Sequence, residues 1–336
     1  MKLWEGLKDA RIDQFDMMLS GYCPSAGVVD QVGKIGRELR TRAATKPGSF
    51  FWVLDPVMGD NGRVYVAEDE VPVYRSLLKD ADLILPNQFE AELLSDVKIH
   101  DLATMKQAIT KLHQAHKTPH VLITSIRLPP TASNTPTAAN EDMSTSAKLS
   151  IIGSTATSDL KPRLFRITVT VLPVFFSGTG DMFASLMVSR LRQEARKAGV
   201  MNKPNWRSPD DVEGPDLPLA KAAEKVLASM QAVLKDTAAH YESAAGQVQQ
   251  GEDTQLNEGT GEEASEEKDT MRHVKLTRAA EVRVVRNVRA LRDPPNVQDF
   301  KAQPVAVDIA DEAHSEQPDE LGVVKVSAGQ GAVHQT

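Results

Sequence analysis

The feature that most constrains this chain is the run Phe50-Phe51-Trp52-Val53-Leu54. Five consecutive apolar residues leave no polar face. A strand built from them must be covered on both sides, as a strand inside a parallel sheet is. The pattern recurs in Asp82-Leu83-Ile84-Leu85 and His120-Val121-Leu122-Ile123, and Asp16-Met17-Met18-Leu19-Ser20 reads as a further strand. Longer stretches with helical character separate these runs, at about 26–42, 68–79, 88–95 and 102–116. Strands alternating with helices predict an α/β fold: a mostly parallel central sheet with helices on both faces.

The second half is less regular. Residues 164–171 alternate apolar and polar, which predicts a half-exposed antiparallel strand at an edge. Residues 129–150 are taken as a flexible insertion, because 129–146 is rich in Pro, Ser, Thr and Asn. A long helix is expected over 217–245. Residues 246–270 hold eight carboxylates against one lysine, which predicts a disordered acidic segment. The alternating Val and Arg of 282–292 suit a surface strand. The resulting layout is one domain over 1–245, the acidic segment, a C-terminal strand region at 271–300 belonging to the same domain, and a disordered tail at 301–336.

Composition excludes several partners. A net charge of −7 argues against nucleic acid or an acidic membrane, and 5% aromatic residues leave little for base stacking. One cysteine, Cys23, allows no disulfide framework; it reads as a small packed residue and suits the cytoplasm or nucleus. No run approaches the ~18 apolar residues of a membrane span, and no secretory signal is read.

The chemistry gathers where strands end. In open parallel sheets, ligands bind at the carboxyl ends of the strands. Phe50–Leu54 runs into Asp55-Pro-Val-Met-Gly-Asp60, Leu83–Leu85 into Pro86-Asn87-Gln-Phe-Glu90, His120–Ile123 into Thr124-Ser125, and the apolar Val174–Phe176 into Ser177-Gly178-Thr179-Gly180-Asp181. A glycine-rich turn opening a helix is an anion site, because free N–H groups point at the ligand. The amides of Gly178, Thr179 and Gly180 suit charge on a transferred phosphoryl group. Asp181 suits the removal of a proton from an alcohol. Asp55, Asp60 and Glu90 offer oxygen ligands for a hard divalent cation such as Mg2+, and Asn87 adds a neutral acceptor and donor. Together they predict metal-assisted phosphoryl transfer to a hydroxyl. No G-x-x-x-x-G-K-[ST] motif is present, so this is not a P-loop enzyme.

Plainer roles are assigned to other residues. His113, His116 and His120 read as surface histidines rather than metal ligands. Glu92 reads as solvated, Met17, Met18 and Met182 as core, and Gly33-x-x-Gly36 as close helix packing.

Three segments, Asp55-Pro-Val-Met-Gly-Asp60, Leu85-Pro-Asn-Gln-Phe-Glu-Ala-Glu-Leu-Leu94 and Ser177-Gly-Thr-Gly-Asp-Met-Phe-Ala184, resemble the pyridoxal kinase family of the ribokinase-like superfamily. The run Asn87–Leu94, followed by Lys98-Ile-His100, separates that family from general sugar kinases and from hydroxymethylpyrimidine kinases. The resemblance implies a ribokinase-like three-layer sandwich. It also implies ATP-dependent phosphorylation of the 5′-hydroxymethyl group of pyridoxal, pyridoxine or pyridoxamine by a homodimer. Carried over by motif, Asp181 is the base, also facing the substrate, and Gly178, Thr179 and Gly180 form the anion hole. Asp60 and Glu90 position magnesium–ATP, and Asp55 and Thr124 lie by the triphosphate and a potassium or sodium ion. Tyr22 lies near the vitamin ring, Tyr65 near the nucleotide, and Leu172 and Val174 border the adenine. Leu85 departs from the family's threonine and puts the monovalent cation in doubt. The family also carries roughly seventy residues before the equivalent of Trp4, within ordinary domain sizes. They supply a central strand and part of the vitamin pocket. The chain is therefore expected to be N-terminally truncated and weakly active or inactive. The rival reading is a non-catalytic chain that binds nucleotide or pairs with a full-length kinase; a weaker one is a related kinase for another hydroxymethyl substrate.

Overall fold

A computed structural model describes residues 2–126, 148–255 and 262–305. In it the apolar runs become neighbouring strands. β1 (Met17–Ser20), β2 (Phe51–Leu54), β5 (Leu83–Ile84) and β6 (His120–Ile126) pair in parallel in that order. The sheet continues antiparallel through β7 (Lys148–Ala156), β8 (Pro162–Thr170) and β9 (Gln303–Pro304). A separate hairpin, β3 (Gly59–Asp60) with β4 (Arg63–Val64), turns on Asn61-Gly62, both at positive φ, as a two-residue hairpin loop requires.

Alternation along β2 explains its unbroken apolarity. Phe51 and Val53 enter one core and Trp52 and Leu54 the other, and Leu83 and Ile84 divide the same way. The Trp52 core is closed by α2 (Ala26–Arg42), α3 (Glu70–Leu77), α4 (Gln88–Ser95) and α5 (Leu102–His116), with α1 (Lys2–Asp9) adding Trp4. The Phe51 core is closed by α6 (Thr179–Lys197) and α7 (Pro218–Gln255). This is the expected three-layer sandwich. Gly33 and Gly36 allow it: a Cβ on them would come within 2.5 Å of Leu77 and of the Trp52 ring, respectively.

Several expectations are corrected. Residues 174–176 are not a strand: Pro173 has no N–H for a ladder, Phe175 is 86% exposed, and only Ser177 pairs, in a single bridge to Glu281. β7 begins at Lys148, inside the expected insertion, and gives β8 a partner; β8 is therefore followed by β9 rather than forming the outermost strand. Residues 127–147, which include the rest of that insertion (129–147), lie outside the described residues.

The acidic segment is helical over 246–255, where α7 continues, and over 262–270, the start of α8 (Glu262–Ala279). It is rich in Glu and Gln and free of proline, a composition that extends a helix already anchored by packing. The Val/Arg stretch coils into a 3-10 turn (Val285–Asn287) and α9 (Val288–Arg292). Its carbonyls are taken by side chains rather than by a strand: Ser229 donates to Ala290, and Arg190 to Leu291 and Arg292. Of the expected tail, 303–304 form β9, and 306–336 lie outside the described residues.

His113 and His120 are buried, not superficial. Each ring spends one nitrogen on a carbonyl (Thr118 and Asn205, 2.7 Å each) and the other on a hydroxyl (Ser154 at 2.9 Å, Thr155 at 2.8 Å). Glu92 is only half-exposed and binds Lys98 and the Ile99 N–H. Among the described residues, no helix is long and apolar enough to cross a membrane.

Candidate active site

The strand-end clusters meet around one cavity of about 460 Å3. Asp55 follows β2; Asn87 and Glu90 open α4 after β5; Thr124 lies in β6; Thr179 and Gly180 open α6. Asn87 and Thr124 pair across the parallel strands in an isolated bridge. Asp60 and Tyr65 reach the cavity from the hairpin and the residue after it, and Leu172 and Val174 from the crossing after β8.

Glu90 forms a capping box with Asn87. The Asn87 side chain accepts from the Glu90 N–H at 2.9 Å, and Glu90 accepts from the Asn87 N–H at 2.9 Å. Glu90 also accepts from Met58 at 2.9 Å and Gly59 at 3.4 Å, and the Asn87 amide donates to the Gly59 carbonyl at 2.7 Å. The carboxylate thus fastens the base of the β3–β4 hairpin to α4. It is 4% exposed, and burial pushes its pKa up to about 7 against the pull of those N–H groups. Asp55 is likewise pushed to about 7, first by burial and then by the charge of Asp181.

Two carboxylates with raised proton affinity, each facing the charge of another acidic residue, make a site that gains from a cation. Among the described residues, however, no three acidic, His or Cys side chains converge into a ready-made cage. A cation held partly by water and by phosphate oxygens, as Mg2+ is, fits such a donor set; an all-protein cage does not.

Gly178 caps α6 at φ 85°, a left-handed conformation that glycine adopts without strain. Its turn brings the first N–H groups of α6 to the cavity, with Asp181 in the first helical turn. Three expected residues are not in the wall, Gly178 among them. Asp181 is exposed at the rim, and Tyr22, after edge strand β1, is 64% exposed.

Other lining residues had not been singled out. Leu149 and Ile151 come from β7, which the polar stretch before it concealed. Leu227, Met230, Gln231 and Leu234 come from α7. Their spacing of three, four and seven puts them on one helical face, a signal the sequence does carry.

Comparison with known proteins agrees with this architecture. Residues 33–158 match a family model described as phosphomethylpyrimidine kinase. A putative pyridoxal kinase of Schizosaccharomyces pombe is 33% identical over 242 residues, covering 71% of this chain and 67% of that protein. The chain belongs to the pyridoxal kinase family. The pyridoxal kinase of Arabidopsis thaliana is 32% identical over 244 residues (72% of this chain, 65% of that one), and that of Sus scrofa 35% over 193 (56% of each). The chain therefore spans 56% to 67% of the length of these three pyridoxal kinases. The fold is also that of the pyridoxal kinase from Leishmania donovani solved with ADP and pyridoxamine, at a TM-score of 0.61 and 24% identity, covering 91% of this chain and 80% of that one.

Proposed function

We propose that this chain transfers the γ-phosphoryl group of ATP to the 5′-hydroxymethyl group of a B6 vitamer. The observation that carries this reading is the pairing of a glycine-capped helix N-terminus with an acidic residue, Asp181, whose charge reaches the half-buried Asp55 in a cavity lined by the other strand-end clusters. Asp181 takes the proton of the acceptor hydroxyl. The N–H groups around Gly178, Thr179 and Gly180 receive charge on the moving phosphoryl group. Asp60 and Glu90 position the nucleotide's magnesium, with Asp55 and Thr124 beside the triphosphate. Magnesium, when bound, neutralises phosphate charge. Leu172, Val174 and the apolar face of α7 form the adenine wall, Tyr65 closes the nucleotide side, and Tyr22 faces the vitamin. A monovalent cation near Asp55 and Thr124, a homodimer and a cytoplasmic location complete the reading. Transfer of γ-phosphate to pyridoxal by the purified chain, lost in Asp181→Asn, is the test.

One observation favours a second reading, nucleotide binding without transfer. Tyr22 stands clear of the cavity and Leu19 beside it is exposed, so the acceptor side is open. ATP binding without turnover in any vitamer would select it.

A further inference from the structure

The glycine loop does not stand alone. Ser177 pairs in parallel with Glu281: its N–H donates to the Ala280 carbonyl at 3.1 Å, and its carbonyl accepts from the Val282 N–H at 3.2 Å. Val282 also packs over the loop, since a Cβ on Gly178 would lie 3.2 Å from its Cγ2. A segment about a hundred residues downstream thus straps the first residue of the anion-binding turn.

The strap is fastened to one face of α7. The Arg283 N–H donates to Thr237 Oγ1 at 3.2 Å, and that fully buried hydroxyl donates on to the Val233 carbonyl at 2.8 Å. Asp236 accepts from Asn287 at 2.9 Å and pairs with Arg283 at 3.4 Å, and Asn287 donates to the Arg283 carbonyl at 2.9 Å. Ser229 holds Ala290 at 2.7 Å. Positions 229, 233, 236 and 237 share a helical face. The adjoining positions 227, 230, 231 and 234 line the cavity. One helix therefore carries a nucleotide wall and the anchor of the loop that would receive the transferred group.

We infer that Thr237 is a positioning residue that sets the Ser177–Asp181 loop through the 280–283 strap, without touching substrate itself. This rests on the kinase reading for its catalytic consequence, but not for its structural one. Thr237→Val keeps the volume and removes the acceptor, leaving the part-buried Arg283 N–H without its partner.

The experiment compares wild type, Thr237→Val, Thr237→Ser and Asn287→Ala. It measures amide hydrogen exchange of 177–182 and steady-state phosphorylation of pyridoxal. Thr237→Val is expected to speed exchange of that loop and lower kcat about tenfold, with both KM values nearly unchanged. Thr237→Ser restores both. Asn287→Ala, which removes one of the strap's two links to Asp236, reproduces the exchange change if the Val variant does not fold. Unchanged loop exchange in both loosened variants, or a loss confined to KM, overturns the inference. A wild-type chain without turnover whose loop still loosens refutes the kinase reading and leaves the anchoring in place.

Discussion

His113 offers a prediction whose sign and size follow from burial. The ring is fully enclosed, spends both nitrogens on protein partners, and has its pKa lowered to about 4 by burial first, against the pull of the Thr118 carbonyl and with the positive charge of Arg163 adding to the lowering. An unfolded histidine titrates near 6.5. Between these values the unfolded chain binds the proton and the folded one does not. Stability is therefore lost as pH falls from 6.5 toward 4. At pH 5 the linkage amounts to about 2 kcal/mol for this one residue, and at pH 7 to only ~0.2 kcal/mol.

The wild-type profile will not display this directly. Asp55 and Glu90 have raised values near 7, so they contribute in the opposite sense and gain as pH falls. The variant isolates the effect. His113→Gln costs roughly 1–3 kcal/mol at pH 7 through lost hydrogen bonds and packing. Urea unfolding at pH 7 and pH 5 should show that cost shrinking by about 2 kcal/mol. A cost that is the same at both pH values refutes the argument that the ring is held neutral.

Two further substitutions probe geometry. Gly36→Ala places a methyl 2.5 Å from the Trp52 ring and should destabilise by about 1–3 kcal/mol in urea; an unchanged midpoint would mean that α2 can shift from the sheet at no cost. Gly178→Ala forces a side chain to φ 85° against Val282. It should cost about 1–2 kcal/mol of stability and slow turnover more than it raises the ATP KM, as thermal unfolding and steady-state kinetics would reveal.

The parallel half of the sheet was legible because its strands are buried on both faces. Phe51, Trp52, Leu83 and Val121 had to be apolar whichever way they pointed. The strand-end clusters were legible for a similar reason, as each hydrophilic cluster abuts an apolar run. The antiparallel half was not. β7 has Gly153, Ser154 and Thr155 in its interior, and its pairing with β8 depends on a register that no local pattern records. Residues 282–292 alternate as a strand would, yet they coil because α7 and Arg190 take their carbonyls. His113 and His120 looked superficial because much of their polarity is satisfied by residues distant in sequence, such as Ser154 and Asn205. Of the site, the strand-end residues such as Asp55, Asn87 and Glu90 could be read, whereas the α7 wall and the strap come from contacts distant in sequence.

The central claim, that Asp181 at the mouth of the α6 glycine turn is the base of a phosphoryl transfer, is tested most directly by one assay. Radiolabelled γ-phosphate from ATP is followed into pyridoxal with wild type and Asp181→Asn at equal nucleotide occupancy. Label should reach the vitamer with wild type and fall at least about a hundredfold in the variant, while ATP affinity is retained. Equal transfer by both proteins would contradict the assignment.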